Sequence, residues 1–196
     1  MDKKSLIICL KSKRFEKNII DVFKKIPRED FIPKELKAQA YEDTALPIGH
    51  GATISQPYTI AFMLNLLELK KGQKILEIGS GSGYVLAILE SITKGKIYGV
   101  EIIKELADSS KKTLKNYKNI KIINQSAKIG LPKFAPYDRI LISASANEVP
   151  YHLIQQLKEN GIIVSSVKNS IVKIKKSKDK ITTEEFPGFV FVPLVD

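Results

Sequence analysis

Residues 74–84 read Lys-Ile-Leu-Glu-Ile-Gly-Ser-Gly-Ser-Gly-Tyr. Ile75, Leu76 and Ile78 form a short apolar run of the kind that makes a buried strand, and Gly79 breaks it. The spacing predicts a turn built on Gly79, Gly81 and Gly83, then a helix from about Tyr84 to Ser91. Glycine suits a backbone that turns sharply and lets a ligand come close, because a Cβ would obstruct both. Free amides at the helix start that follows favour acidic or acceptor groups on that ligand. Twenty-two residues after Gly79, Glu101 closes a second apolar run, Ile97-Tyr98-Gly99-Val100. An acid at that distance, on the tip of the next strand, accepts the hydroxyls of a ribose. Strand, glycine turn, helix, strand and acid together describe a nucleoside-binding α/β unit.

Outward from this stretch, strands and helices alternate. Strands are expected at 74–78, 96–101, 120–124, 138–143 and 161–165, with helices near 84–92, 103–116 and 150–158. Such alternation implies parallel strands, right-handed crossovers and helices on both faces. Residues 171–176 and 189–194 read as two closing strands joined by a polar turn at Lys178-Asp179-Lys180. The expected fold class is α/β, with a doubly wound, Rossmann-like, mostly parallel sheet of about seven strands. Upstream, Phe15, Ile19, Ile20, Val22, Phe23 and Ile26 recur at helical spacing over 13–26, and Pro27 ends that helix. Residues 34–52 read as irregular. A second helical pattern covers 56–69, with Pro57 near its start and Ser55 or Gln56 as cap. Residues 1–70 are expected to form a helical extension packed on the α/β unit of residues 71–196, the two making one compact body.

A net charge of +11 raises the question of a nucleic-acid partner. Of 32 basic residues only Arg14, Arg28 and Arg139 are arginines, and the lysines are spread along the whole chain. Arginine is the residue suited to bidentate phosphate and base contacts, so its scarcity argues against nucleic acid. The densest run, Lys173-Ile174-Lys175-Lys176-Ser177-Lys178, reads as an edge strand with a lysine-protected rim. No apolar run approaches the roughly 18 residues that span a bilayer. Lys11, Lys13 and Arg14 directly follow the short apolar stretch Leu6–Leu10, which is too brief for a signal segment. A cytoplasmic protein without a membrane partner is expected. Cys9 is the single cysteine, so neither an intramolecular disulfide nor a thiolate metal cluster can form. Its apolar neighbours predict a buried or half-buried structural thiol, and no metal site is expected.

The spacing also narrows the nucleoside. In a dinucleotide fingerprint the glycines follow Gly-x-Gly-x-x-Gly. Here the third glycine comes one residue early, and Tyr84 fills the remaining place. Glu77-x-Gly79-x-Gly81-x-Gly83 resembles the first motif of the S-adenosylmethionine-dependent methyltransferases. Three further blocks carry a narrower likeness: Ile26-Pro27-Arg28-Glu29-Asp30-Phe31-Ile32-Pro33, Ala40-Tyr41-Glu42-Asp43, and Leu46-Pro47-Ile48-Gly49-His50-Gly51-Ala52-Thr53-Ile54-Ser55-Gln56-Pro57. With Phe134-Ala135-Pro136-Tyr137-Asp138, Gln156-Leu157-Lys158 and Phe191-Val192-Pro193-Leu194, they resemble the protein-L-isoaspartate O-methyltransferases. That resemblance implies S-adenosyl-L-methionine as cofactor, isoaspartyl-containing proteins and peptides as partners, and a monomer. The family methylates the α-carboxyl of L-isoaspartyl residues, and the ester collapses to a succinimide that can reopen as aspartate. By the same resemblance, Ser55 is the catalytic residue at the acceptor, and Thr53, Ser55 and Val192 bind substrate. Thr53, Ile54, Glu77, Gly79, Ser80, Gly81, Ser82, Gly83, Glu101, Ser126 and Ala127 bind the cofactor.

The chemistry agrees with what the sequence contains. A carboxylate with a pKa near 4 is ionised at neutral pH and needs no general base to attack a sulfonium methyl. The protein has to align the reacting atoms and exclude water. Thr53-Ile54-Ser55, ahead of a helix, supplies small hydroxyls and amides for holding the carboxylate. His50 reads as a loop-packing residue and His152 as a surface helix residue. Gln125-Ser126-Ala127 stand where the family has Gly-Asp-Gly, so a neutral serine replaces the carboxylate that receives the adenine amino group. Weaker cofactor binding is expected from that change. Two other readings stay open. One is an RNA methyltransferase, although Ser143-Ala144-Ser145-Ala146 lacks the Asn/Asp-Pro-Pro-aromatic motif of amine methylation. The other is a degenerate cofactor-binding module without activity.

Overall fold

A computed structural model describes residues 1–146, 148, 151–178 and 180–189. The chain opens with helix α1 (Lys3–Ser12), in the stretch where the sequence pattern gives no helix. Asp2 caps it by accepting the amide hydrogen of Ser5 at 2.8 Å, and Leu6, Ile7 and Leu10 face the core. Helix α2 (Lys17–Lys25) buries Ile19, Ile20, Val22 and Phe23, and ends before Pro27 as its spacing predicts. The stretch expected to be irregular holds a small antiparallel hairpin, β1 (Leu46–Gly49) with β2 (Ala52–Ile54). Helix α3 (Pro57–Leu66) follows two residues later.

Seven strands then form one sheet: β3 (Ile75–Ile78), β4 (Ile97–Glu101), β5 (Ile120–Asn124), β6 (Tyr137–Ala146), β7 (Leu157–Val167), β8 (Ser170–Ser177) and β9 (Lys180–Pro187). Helices α4 (Tyr84–Thr93), α5 (Lys104–Thr113) and α6 (Tyr151–Gln155) make the crossovers. The sheet order is β5-β4-β3-β6-β7-β8-β9. Its first five strands are parallel, and β8 and β9 pair antiparallel at one edge. The expected α/β class and doubly wound sheet are thus present. All four residues of β3 are buried, as a strand covered on both faces requires.

The edge differs from expectation. The strand that pairs with β8 runs over 180–187, since the turn near residue 178 leads straight back alongside β8; the strand expected at 189–194 lies, from residue 190 onward, outside the described residues. The lysine-rich strand β8 is therefore interior to the sheet, between β7 and β9. Lys173 pairs with Glu68 at 2.7 Å, and Lys176 donates to the Leu157 carbonyl at 3.0 Å. The outer strand β9 is exposed along nearly its whole length. The helix expected at 150–158 is also shorter, because residues from Leu157 onward join β7.

Residues of α1, α2 and α3 share one hydrophobic cluster with Ile75, Leu86, Leu141, Val164 and Ile171. On the other face Leu76, Ile78, Tyr137, Ile140 and Leu157 make a second cluster. Among the described residues no helix is long and apolar enough to cross a membrane. Cys9 is half-buried, as expected.

Candidate active site

In an open parallel sheet, ligands bind beyond the carboxyl ends of the strands where the strand order reverses. Here the chain runs outward through β3, β4 and β5 and returns to lay β6 beside β3. At that switch point lies a cavity of about 570 Å³. Gly79 leaves β3 into it, Glu101 ends β4 at its wall, and Ser143 and Ala144 reach it from β6. Asp43, Thr44 and Ala45 also line it, and the hairpin contributes His50 through Thr53. A smaller space of about 50 Å³ adjoins it, lined by Glu77, Ser80, Ser82, Tyr84 and Ser143, with Thr53, Ser55, Gly79 and Gly81 shared between the two.

The glycine turn departs from its sequence reading in one respect. The amides of Gly79 and Ser80 donate to the Val100 carbonyl at 2.9 and 3.2 Å, Gly81 donates to Glu101 Oε2 at 2.7 Å, and Gly83 to the Ser80 carbonyl at 2.8 Å. Those four amides therefore organise the turn itself. Gly81 sits at φ +49°, where an added Cβ would meet Ile48 Cδ1 at 3.1 Å. Gly83 lines neither space. It starts α4 at φ +83°, and a Cβ there would lie 2.6 Å from Leu114 Cδ1. Its glycine is needed for the close approach of the segment after α5.

Glu77 is 1% exposed. Its Oε1 accepts the Ser143 hydroxyl at 2.7 Å, while among the described residues its Oε2 has no partner. Burial, helped by the nearby Glu101 charge, pushes its pKa up to about 8 against the retained Ser143 hydrogen bond. The Ser80 hydroxyl is also buried without a partner. A buried acceptor and a buried hydroxyl facing one polar space call for a donor-bearing ligand group or water. Both observations fit the ammonium end of an amino-acid-containing nucleoside. Glu101 holds the amides of Gly81 and Ile103, and each of its oxygens keeps a lone pair for a ribose hydroxyl.

Ser55 lines both spaces. The sequence allows it to be the cap of α3, but Gln56 holds that position and makes no side-chain cap bond. The cap comes from far along the chain instead: Asp43 Oδ1 accepts the amide hydrogen of Tyr58 at 2.8 Å. Among the described residues the Ser55 hydroxyl has no hydrogen-bond partner, so it is available to a ligand.

The expected site residues thus separate. Thr53, Ser55, Gly79 and Gly81 line both spaces, Glu101 and Ala127 the larger, and Ile54, Glu77, Ser80 and Ser82 the smaller. Ser126 lines neither, and its hydroxyl accepts the Lys128 amide at 3.2 Å. Val192 lies outside the described residues. His50 is exposed on the hairpin turn at the cavity wall, not packed within a loop. His152 is half-buried with an unpartnered Nε2. Asp43, Thr44 and Ser143 belong to the site without having been picked out as site residues from the sequence. Asp43 ends the Ala40–Asp43 block, the one signal that marked it. Among the described residues no cluster of His, Cys, Asp and Glu stands in metal-binding geometry.

A family model described as protein-L-isoaspartate(D-aspartate) O-methyltransferase matches residues 1–196. A protein-L-isoaspartate O-methyltransferase of Methanococcoides burtonii is 41% identical over 198 residues, covering 97% of this chain and 98% of its own. One from Ignicoccus hospitalis is 39% identical over 189 residues, 92% of this chain and 90% of its own. Among solved structures, a protein-L-isoaspartate O-methyltransferase matches all of this chain and 66% of its own, with a TM-score of 0.91 at 26% identity. A Plasmodium falciparum chain so described, in complex with S-adenosyl-L-homocysteine, matches with a TM-score of 0.87 at 26% identity, over 100% of this chain and 99% of its own.

Proposed function

We infer the chemistry of this cavity from one premise: the chain belongs to the protein-L-isoaspartate(D-aspartate) O-methyltransferase family. It moves a methyl group from S-adenosylmethionine to the carboxylate of L-isoaspartyl residues in damaged proteins. The cofactor supplies the methyl on a sulfonium, and the sulfur keeps the electron pair as the carboxylate oxygen forms the new bond. No proton is transferred in that step, because the acceptor is already ionised.

The observation that supports this reading for the residues here is that Ser55 and the glycine turn border the same space. Glu101 takes the ribose hydroxyls, and the free Glu77 Oε2 takes the cofactor's ammonium. Ala127 closes the adenine side. Ser55, with its hydroxyl unengaged, donates to the acceptor carboxylate and aims it at the methyl, with Thr53 beside it. Val192 is assigned to substrate on family resemblance alone. Alignment of the reacting atoms is the main contribution such a site can make. The first 70 residues supply the acceptor side and residues 71–196 the cofactor side of one unit. The protein acts as a cytoplasmic monomer, and its dispersed lysines do not make a nucleic-acid surface.

Methyl transfer to an isoaspartyl peptide, its aspartyl counterpart and bulk tRNA tests the reading. Transfer to the isoaspartyl peptide alone is expected. Labelled tRNA would replace it with the RNA reading, and cofactor binding without transfer to any of the three would leave a binding module.

A further inference from the structure

Arg28 is wholly buried, and among the described residues its guanidinium touches no carboxylate at hydrogen-bond distance. Nη1 donates to the Ala40 carbonyl at 2.8 Å and to that of Glu42 at 3.4 Å. Nη2 donates to the carbonyl of Thr44 at 3.0 Å and to that of Ser55 at 3.1 Å. Nε has no partner. Burying a cation with only backbone dipoles around it costs stability, and an apolar side chain of similar volume is often the more stable choice. What the guanidinium gives in return is geometric. One nitrogen joins the carbonyls of Thr44 and Ser55, and both residues line the same cavity.

We infer that Arg28 is a positioning residue for methyl transfer, fixing the Thr44 loop against the Ser55 segment, where the acceptor carboxylate is held. This rests on the reading of the cavity as the methyl-transfer site. A second tie joins the same two segments. Asp43, next to Thr44, accepts the Tyr58 amide in the first turn of α3, three residues after Ser55. The loop is thus held to the acceptor wall by a cation on carbonyls and by an anion on an amide. Neither tie touches the glycine turn or Glu101, so the two segments can separate while the nucleoside side stays intact. Lysine does not replace Arg28, because an ammonium offers one nitrogen where the guanidinium offers two in a fixed fork.

The experiment compares wild type with Arg28→Lys. Three readouts are taken: affinity for S-adenosylhomocysteine by calorimetry, kcat and KM for an isoaspartyl peptide, and hydrogen exchange of residues 41–46 and 53–58. The expected result is an S-adenosylhomocysteine Kd within threefold of wild type, kcat/KM for the peptide lowered at least tenfold, and faster exchange confined to those two segments. Wild-type kcat/KM overturns the inference. So does a loss of cofactor-product affinity in step with peptide turnover, which would mark Arg28 as purely structural. Should Arg28→Lys fail to fold, the Asp43 pair decides. Asp43→Ala should lower peptide kcat/KM at least tenfold, and Asp43→Asn, which keeps an oxygen for the Tyr58 amide, should lose clearly less. Equal losses in both, or none in either, overturn the inference. Failure of the underlying reading is distinct, because wild type itself would then not methylate the isoaspartyl peptide.

Discussion

Glu101 Oε2 accepts the amide hydrogen of Gly81 at 2.7 Å. The acid assigned to the ribose therefore also holds the turn that admits the cofactor. Glu101→Ala removes both functions, and cofactor affinity should fall by at least the roughly 1.5–3 kcal/mol of a hydrogen bond to a charged group. Glu101→Gln keeps one acceptor oxygen and should lose less. Calorimetric titration with S-adenosylhomocysteine measures both, and unchanged affinity in Glu101→Ala would refute the assignment.

Gly81→Asp should abolish cofactor binding while the fold survives. Aspartate tolerates the left-handed region better than most residues. Its Cβ meets only Ile48 Cδ1, the far end of a flexible side chain, and its carboxylate enters a space that borders both cavities. Circular dichroism with the same titration decides, and retained affinity would remove Gly81 from the cofactor wall.

Ser55→Ala separates cap from catalyst. Losing a capping serine typically costs about 1 kcal/mol. Ser55 is not the cap, so the stability loss should be smaller. Turnover of an isoaspartyl peptide should fall roughly tenfold or more, the effect of one lost hydrogen bond to a charged acceptor. Denaturant titration beside steady-state kinetics gives both quantities, and normal kcat in this variant would end the catalytic assignment.

Glu77 should make the unliganded protein sensitive to pH. Its folded pKa of about 8 lies above the ordinary 4.5. Its contribution to stability is therefore fully present below about pH 4.5 and lost as pH rises towards 8. Glu77→Gln should be more stable than wild type near pH 8, with the difference shrinking as the pH is lowered to 5. Urea unfolding at several pH values reads this directly. A pH-independent difference would mean that Glu77 does not titrate in that window.

Ser126→Asp should tighten cofactor binding by about 1 kcal/mol, since a charged acceptor for the adenine amine outperforms a hydroxyl. Ser126 follows Gln125 and precedes Ala127, which borders the cavity. An analogue without the amino group should bind wild type and variant alike. Unchanged or weaker binding of the cofactor to the variant would show that the adenine edge is read elsewhere.

The alternating half of the chain was legible because each buried strand carries its own apolar run, as Ile75–Ile78 does. The rest left weaker marks. Strand β9 is exposed on both faces, so Thr182, Thr183, Glu184 and Glu185 show no hydrophobic period, and β8 passed for an edge. The hairpin strands span only four and three residues and include Pro47 and Gly49, which read as loop. Asp43 caps a helix from fifteen residues away, and Arg28 binds carbonyls up to 27 residues distant. Such contacts exist only once the chain has closed, so no local spacing announces them. Glu77, by contrast, sat inside the motif, but its missing partner could be seen only in three dimensions.

Arg139 on β6 donates to the carbonyls of Leu67 and Glu68, just past α3, while Leu64 and Leu67 share one cluster with Leu141 and Val164. The seam near residue 70 is thus closed by polar and apolar contacts alike. On the proposed division of roles, substrate handling and cofactor handling are not interchangeable modules. A chimera that joins the first 70 residues of one relative to the remainder of another must inherit both sides of this seam together.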